Sequence, residues 1–460
     1  MEQDNRSRLR QWLESGEARL QPLTPSQREL WETSPVPVGD PANHICGFIE
    51  IKGGITPDEC EAALQRVIER QESMRISFLP GKEKPLQMIR ASGASLLRFR
   101  ELSAAEAEPE ALEEVMRETY GRPFDLVQGP LHRIDMLRRG PNDHVLAFSI
   151  HHAIADGWSL GVFVQDLSTA YVMGLKGLRK VVATGLMGLA DKLPPVPQTY
   201  CEWATAEQAF WQPAERERRA AFWKTHLEGA RQIWRNREGV TRNSGGLQRW
   251  ASALPAQLTR AVRELALRNG STLFSTLLAA FQLALWKWTG EDDILVGTPV
   301  ANRHKEATRQ TMGYFAGVVP LRGQVDGTQS FISHLRRVQE TTMDSFANAM
   351  PFADLVQSLG ITRQPGTHTL FDVRFALQNH PVPDVVLPRI STKLRMRSTG
   401  TARFDLACEI TEVGSELEVV WLFRTDIIPQ QGITEVDLLF QSVVTNACRI
   451  PESATARLIA

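Results

Sequence analysis

Apolar positions along the chain switch between a two-residue and a three-to-four-residue period, the alternation expected of strands and helices in turn. Phe48-Ile49-Glu50-Ile51 reads as a strand. Thr56-Pro57-Asp58-Glu59 then opens a helix: Thr56 is a suitable N-cap, Pro57 fits the first helical position, and Glu59 stands three residues after the cap. Leu64, Val67 and Ile68 put one apolar stripe on that helix. Leu131 to Leu137 and Val145 to Ile150 are further strands, and Ser159 to Tyr171 is an amphipathic helix with Leu160, Phe163, Val164, Leu167 and Tyr171 on its apolar face.

Glycine and proline gather between residues 172 and 200 (Gly174, Gly177, Gly185, Gly188, Pro194, Pro195, Pro197), which marks a boundary. A charged helical stretch, Glu207 to Leu227, follows and reads as a solvated face. The alternation then resumes with a long apolar helix over Ser271–Trp288 and strands at Asp293–Thr298, Phe371–Gln378 and Leu417–Phe423. The pattern predicts an α/β chain of two lobes, residues 1–180 and 181–460, with a ligand site between them.

Composition narrows the class. The net charge of −1 gives no pull toward nucleic acid or an anionic membrane. Five scattered cysteines lack Cys-x-x-Cys spacing, so neither a disulfide framework nor a zinc site is expected. Met1–Arg10 is polar and charged, unlike a signal peptide, and no apolar run approaches the roughly 20 residues of a membrane span. The expected setting is cytoplasmic.

The candidate chemistry lies in His151-His152-Ala153-Ile154-Ala155-Asp156-Gly157, between an apolar strand and a helix. A histidine titrates at about 6.5 and is suited to proton transfer near neutrality. If the strand continues through both histidines, His152 shares a face with Leu146, Phe148 and Ile150, and His151 points the other way. Asp156 falls at a helix N-terminus, where an anion is favoured, and Gly157 permits a tight turn. Three readings stay open from spacing alone. Asp156 caps a helix and the histidines merely pack; the three residues bind a metal, which the opposed faces disfavour; or a histidine deprotonates or orients an amine or hydroxyl during acyl transfer while Asp156 holds the loop.

This segment belongs to an ordered set. Leu23-Thr24-Pro25-Ser26-Gln27-Arg28-Glu29-Leu30-Trp31 resembles the opening motif of condensation domains of nonribosomal peptide synthetases. Arg70 to Phe78 resembles their second motif, with Gln71 in place of the usual histidine, and Pro123-Phe124-Asp125-Leu126 and Gly129-Pro130-Leu131 are similar to another family stretch. His151–Ser159 matches the catalytic motif. The series continues through Gly313–Arg322, Pro351-Phe352, Leu370–Val373, Arg403–Leu406 and Thr425-Asp426. Departures occur at Glu202, where the family has aspartate, at Ala206, at Ala316-Gly317-Val318, and in Arg363–His368.

The resemblance implies two lobes like chloramphenicol acetyltransferase, set as a V-shaped pseudo-dimer with the active site in a tunnel between them. It implies that His152 deprotonates or orients the acceptor, that His151 supports it, and that Asp156 keeps the loop in shape through an ion pair with Arg75. The backbone at Gly157 would face the reacting carbonyl. No cofactor or metal is implied; the phosphopantetheine arm of an acyl or peptidyl carrier protein in trans would present the donor. A free-standing, monomeric enzyme is expected, making an amide or ester in antibiotic-type secondary metabolism from a peptidyl, aminoacyl or polyketide thioester and a small-molecule or carrier-bound acceptor. Rivals are an O-acyltransferase with a lipid, polyketide or CoA donor and a degenerate module that only recruits partners. The Asp-Phe-Gly-Trp-Gly motif of plant-type acyltransferases and the Gly-x-Ser-x-Gly elbow of serine enzymes are absent.

Overall fold

The structure is a computed structural model describing residues 9–81, 84–184, 192–233, 246–362, 369–378, 387–388, 390–401 and 403–458; side chains of 176–184 are not described. Of the sequence motifs, Arg363–His368 lies outside the described residues, as do Gly185 and Gly188 of the boundary stretch.

The chain runs β1 (Ala18–Pro22), α1 (Pro25–Glu32), β2 (His44–Lys52), α2 (Pro57–Arg70), β3 (Ile76–Leu79), β4 (Leu86–Arg90), β5 (Arg98–Glu101), α3 (Pro109–Gly121), β6 (His132–Gly140), β7 (Asp143–His151) and α4 (Gly157–Thr184). It continues with α5 (Tyr200–Phe210), α6 (Pro213–His226), β8 (Leu247–Leu254), α7 (Ala256–Arg268), α8 (Leu273–Thr289), β9 (Asp293–Val300), β10 (Gly317–Gln324), α9 (Phe331–Ala347), α10 (Phe352–Ser358), β11 (Val373–Gln378), β12 (Ser391–Arg397), β13 (Leu406–Val413), β14 (Glu416–Arg424) and α11 (Gln430–Arg449). Three sheets result, ordered β1-β4-β3, β12-β2-β7-β6-β5 and β10-β9-β11-β13-β14-β8.

The helix over Pro57–Arg70 forms as its sequence predicts. Thr56 accepts from Glu59 N at 3.2 Å, and the Glu59 carboxylate accepts from Thr56 N at 2.9 Å, so two orphan amides are satisfied reciprocally. On β7, Leu146, Phe148 and Ile150 meet α2 and α4, while Val145 and Ala147 meet Leu112 and Met116 of α3. Both faces of the sheet are therefore covered, which explains its near-continuous apolar strands. In the second half, Leu417, Val419, Trp421 and Phe423 of β14 are fully buried at alternate positions, the two-residue period seen in the sequence.

The two halves exchange segments. The expected division at 180/181 falls inside α4. Leu193, Tyr200, Cys201, Trp203, Met312, Tyr314 and Phe315 pack into the core of the first half, and β12 pairs antiparallel with β2 from Ser391↔Lys52 to Arg397↔Cys46. The predicted charged helix over 207–227 is two helices, because Pro213 opens α6 just after α5 ends. Among the described residues, no helix is long and apolar enough to cross a membrane.

Candidate functional site

β7 delivers His151 as its last residue, opposite His44 of β2, and His151 N donates to Leu131 O at 2.9 Å. The strand then stops. His152–Ile154 form a 3-10 turn, so His152 leaves the pleat rather than continuing the face of Phe148 and Ile150. The two rings are still separated, as the sequence predicts, and their hydrogen bonds define different jobs.

His151 is completely buried. Its Nδ1 accepts from Ala153 N at 3.0 Å, which leaves Nε2–H to donate to Val38 O at 2.8 Å. Both nitrogens are spent on backbone, and burial pushes the ring down to about 3, so it is a neutral brace for the turn. His152 is half-buried. Its Nδ1–H donates to Ala155 O at 3.1 Å. That bond fixes the tautomer in which Nε2 carries the lone pair, the form a general base requires. Burial, with the Arg403 guanidinium second, holds this ring well below the usual histidine value. It is therefore unprotonated throughout the neutral range. The Tyr314 ring packs beside it, with centroids 5.5 Å apart.

Asp156 is the N-cap of α4 and is 2% exposed. Its Oδ1 accepts from Ser159 N and Ser159 Oγ at 2.8 and 2.7 Å. Gly157, exposed, begins the helix. Asp156 thus caps as the sequence allows, but its ion-pair partner is Arg303, not Arg75. Arg303 Nη2 lies 3.1 and 3.3 Å from the two carboxylate oxygens, and both side chains are almost wholly buried. Arg75 is engaged elsewhere. Its Nε donates to Arg90 O at 3.0 Å, and its Nη1 donates to the carbonyls of Ile68 and Glu69. Those carbonyls belong to the last turn of α2, where acceptors lack intrahelical donors and a cation is favoured. The short 3-10 turn Glu72–Arg75 brings Arg75 back onto that helix end, so it cannot reach Asp156.

Arg303 also clamps the segment between β9 and β10. Its Nη1 donates to Thr308 O and Thr311 O at 2.6 and 2.7 Å, and its guanidinium lies 3.8 Å over the Phe315 ring. Asp156 Oδ2 accepts from Phe315 N and Ala316 N at 3.1 and 3.3 Å. Ser159 Oγ accepts from Gly313 N at 3.1 Å, Trp158 Nε1 donates to Arg309 O at 3.0 Å, and Ser26 Oγ donates to Phe315 O at 3.0 Å. Gln71, the departure from the family histidine, donates to Asp166 Oδ2 and Gln310 O and accepts from Met312 N at 2.7, 3.0 and 2.9 Å. A neutral imidazole has one donor and one acceptor and could not make all three. Residues 301–316 are thereby pinned against the first half, and this presents Tyr314 to His152.

Gly313 is required there, because a Cβ would stand 2.2 Å from the Tyr200 ring. Gly317, the other departure, leaves room for Asn302 Nδ2, which a Cβ would meet at 2.9 Å and which donates to Phe315 O at 3.0 Å. Arg303, Tyr314 and Ser159 carry as much of this geometry as the histidines. The polar Asn302-Arg303 pair soon after an apolar strand is the sequence signal for Arg303; nothing local names its partner 147 residues away. Among the described residues, no group of three or more His, Cys, Asp or Glu side chains is placed to hold a metal.

The Condensation domain family model matches residues 17–458. One linear gramicidin synthase polypeptide of Brevibacillus parabrevis is 30% identical over 451 residues, which cover 95% of this chain and 8% of that protein. Phosphinothricin tripeptide synthetase PhsB of Streptomyces viridochromogenes is 30% identical over 426 residues, covering 90% of this chain and 35% of that protein. The chain therefore spans a small part of the curated relatives it matches. Among solved structures, the X-domain in its complex with OxyB from teicoplanin biosynthesis superposes with a TM-score of 0.81 at 21% identity, covering 95% of both chains. The SgcC5 protein from Streptomyces globisporus superposes with a TM-score of 0.74 at 22% identity, covering 94% of this chain and all of that one. The alternating β/α order, the histidine turn braced between two halves, and a family match from end to end lead to one assignment: this chain belongs to the condensation-domain family.

Proposed function

We propose that the chain is an acyltransferase that moves an acyl group from a carrier-protein-bound thioester to an amine or hydroxyl, forming an amide or ester in natural-product biosynthesis. The observation that carries this reading is the Nδ1–H bond from His152 to Ala155 O, which leaves Nε2 as a neutral base beside Tyr314. The phosphopantetheine arm of the partner carrier brings the thioester as substrate, and the acceptor enters the tunnel between the lobes. The acceptor nitrogen or oxygen attacks the thioester carbonyl while His152 Nε2 takes its proton. The tetrahedral adduct collapses, the carbon–sulfur bond breaks, and the proton passes from His152 to the departing thiolate. Holding two reactants in line supplies much of the acceleration, and effective molarities on the order of 10⁵ M are attainable for aligned groups. Gly157, at the exposed start of α4, places backbone near the reacting carbonyl, and Asp156 with Arg303 keeps the turn in register. The SgcC5 structure holds a 1,2-ethanediol derivative, which supports keeping hydroxyl acceptors beside amines. Single-turnover transfer from acyl-loaded carrier proteins to a panel of amines and alcohols, followed by intact-protein mass spectrometry, tests the reading. Wild-type rates from His152→Ala would sink it.

A further inference from the structure

The turn that carries His152 is held from a helix that has no part in those steps. Gln27 lies on α1 and is completely buried, as are Thr24, Gln87 and Ala153. Its Oε1 accepts from Thr24 N at 2.9 Å, and its Nε2 donates to Ala153 O at 3.0 Å and to Gln87 Oε1 at 3.2 Å. Gln87 Nε2 in turn donates to Pro22 O at 3.0 Å. Both amides are oriented by their backbone partners. Thr24 N is a donor and must meet an oxygen; Ala153 O and Pro22 O are acceptors and must meet nitrogens. The two N–H groups of Gln27 are therefore aimed by groups that cannot change sign. Their target is the middle of the histidine turn. Ala153 N donates to His151 Nδ1 at 3.0 Å, so the N–H of residue 153 is gripped by His151 and its carbonyl by Gln27. His152 and Ile154 flank it in the 3-10 turn, and His152 Nδ1–H reaches Ala155 O across the same peptide. Ser26 and Arg28, the sequence neighbours of Gln27, fasten α1 to Phe315 O and Asp354 Oδ1 at 3.0 and 2.7 Å. Helix α1 is thus tied to the second half while its glutamine holds the turn of the first.

We propose that Gln27 is a positioning residue for acyl transfer: its Nε2 holds the Ala153 carbonyl, so that His152 keeps the Nδ1–H tautomer and presents Nε2 to the acceptor. This rests on the acyl-transfer reading and adds to it a residue that acts through the backbone of the turn. The competing role for Gln27 is capping. Its Oε1 completes the capping box of α1 with Thr24, whose Oγ1 accepts from Gln27 N at 3.1 Å. A residue kept for the cap alone needs no donor, because glutamate serves as well as glutamine at that position. Capping uses the oxygen of the amide and positioning uses its nitrogen, so one substitution separates them. Gln27→Glu keeps the length of the side chain and the capping oxygen, and sets an acceptor where Ala153 O and Gln87 Oε1 need a donor.

The test combines kinetics with NMR on the full chain. Imidazole nitrogen shifts of isotope-labelled histidine, assigned with His152→Ala, report the tautomer of each ring without any substrate. Wild-type His152 shows the single Nδ1–H form. Gln27→Glu turns it into a mixture of tautomers and lowers kcat by about 10–100-fold, the loss expected when a catalytic group shifts by about 1 Å, while KM for the acceptor stays within about twofold. Gln27→Met, which lacks the donor and brings no charge, shows the same two changes and serves if the glutamate variant does not fold. Thr24→Val breaks the other half of the capping box and leaves the Gln27 amide in place; it lowers the melting temperature but moves neither the tautomer nor kcat. A single Nδ1–H tautomer in the Gln27 variants, or wild-type kcat from them, overturns the assignment and leaves Gln27 as a cap. Octanoyl-pantetheine as donor separates the two levels. If the wild type transfers its acyl group to no amine or alcohol, the acyl-transfer reading falls, and the tautomer measurement still decides whether Gln27 sets the ring.

Discussion

Replacing Arg303 by methionine is the sharpest test of the site's architecture. The guanidinium makes five hydrogen bonds, two to Asp156, one to Ser159 Oγ and two to the carbonyls of Thr308 and Thr311. Methionine keeps an apolar contact on Phe315 and loses all five. Asp156 still accepts from Ser159, Phe315 and Ala316 but loses its buried cationic partner. Breaking a buried pair from one side costs about 3–5 kcal/mol. At about 2.1 cal/mol/K of unfolding entropy per residue, a 460-residue chain shifts by roughly 1 °C per kcal/mol, so the melting temperature should fall by about 3–5 °C. Arg75→Met removes bonds to partly exposed carbonyls at a helix end and should cost about 1–2 kcal/mol. The decisive assay is a double-mutant cycle with Asp156→Asn, read by urea midpoints and by single-turnover acyl transfer. Asp156 and Arg303 should couple by about 2 kcal/mol or more, whereas Asp156 and Arg75 should be additive within about 0.5 kcal/mol. Additivity with Arg303 and coupling with Arg75 would refute the reasoning and reinstate the pair expected from the sequence.

Other expectations follow from the same geometry. His152→Ala should lower single-turnover transfer by about 10²-fold or more while leaving the melting temperature within a few degrees, measured by calorimetry. His44, His132 and His334 are buried and held down to about 4, and His151 to about 3, mainly by burial. The folded chain therefore binds fewer protons than the unfolded chain below about 6.5. Stability should fall as pH drops from about 6.5 toward 4, by on the order of 1 kcal/mol per histidine at pH 5.5. Glu29, raised to about 7, opposes this as a single group. Denaturation midpoints across pH 4.5–7.5 check the sign, and a midpoint that rises on acidification contradicts it. Gly313→Ala should unseat the segment before β10, because its methyl would stand 2.2 Å from the Tyr200 ring; activity and melting temperature should drop together.

How much was visible beforehand depends on the range of each interaction. The capping box at Thr56 and Glu59 and the alternation of Leu417, Val419, Trp421 and Phe423 are local, so a one-dimensional pattern carries them. The split of the charged stretch by Pro213 was legible in principle, since proline marks a first helical turn. Arg303 was not legible, because apolar periodicity reports which residues leave water and never which distant charge meets them. Arg75 shows the converse: the motif located it, but its sequence neighbours Ile68 and Glu69 offer nearer acceptors than Asp156. β12 was missed for a related reason. Its neighbour β2 is some 350 residues earlier, and its own positions are mostly exposed or half-buried.

The pinning of residues 301–316 onto the first half bears on how such chains can be recombined. Cutting between the halves by linear position would pair one parent's Asp156, Ser159 and Gln71 with another parent's Arg303, Met312 and Phe315. Each hydrogen bond across that seam would then be drawn from unmatched sequences. A workable graft must inherit 301–316, and β12 with it, from the parent that supplies the histidine turn. The unit of exchange in this fold is a discontinuous set of segments that share a seam, and specificity engineering should swap that set whole.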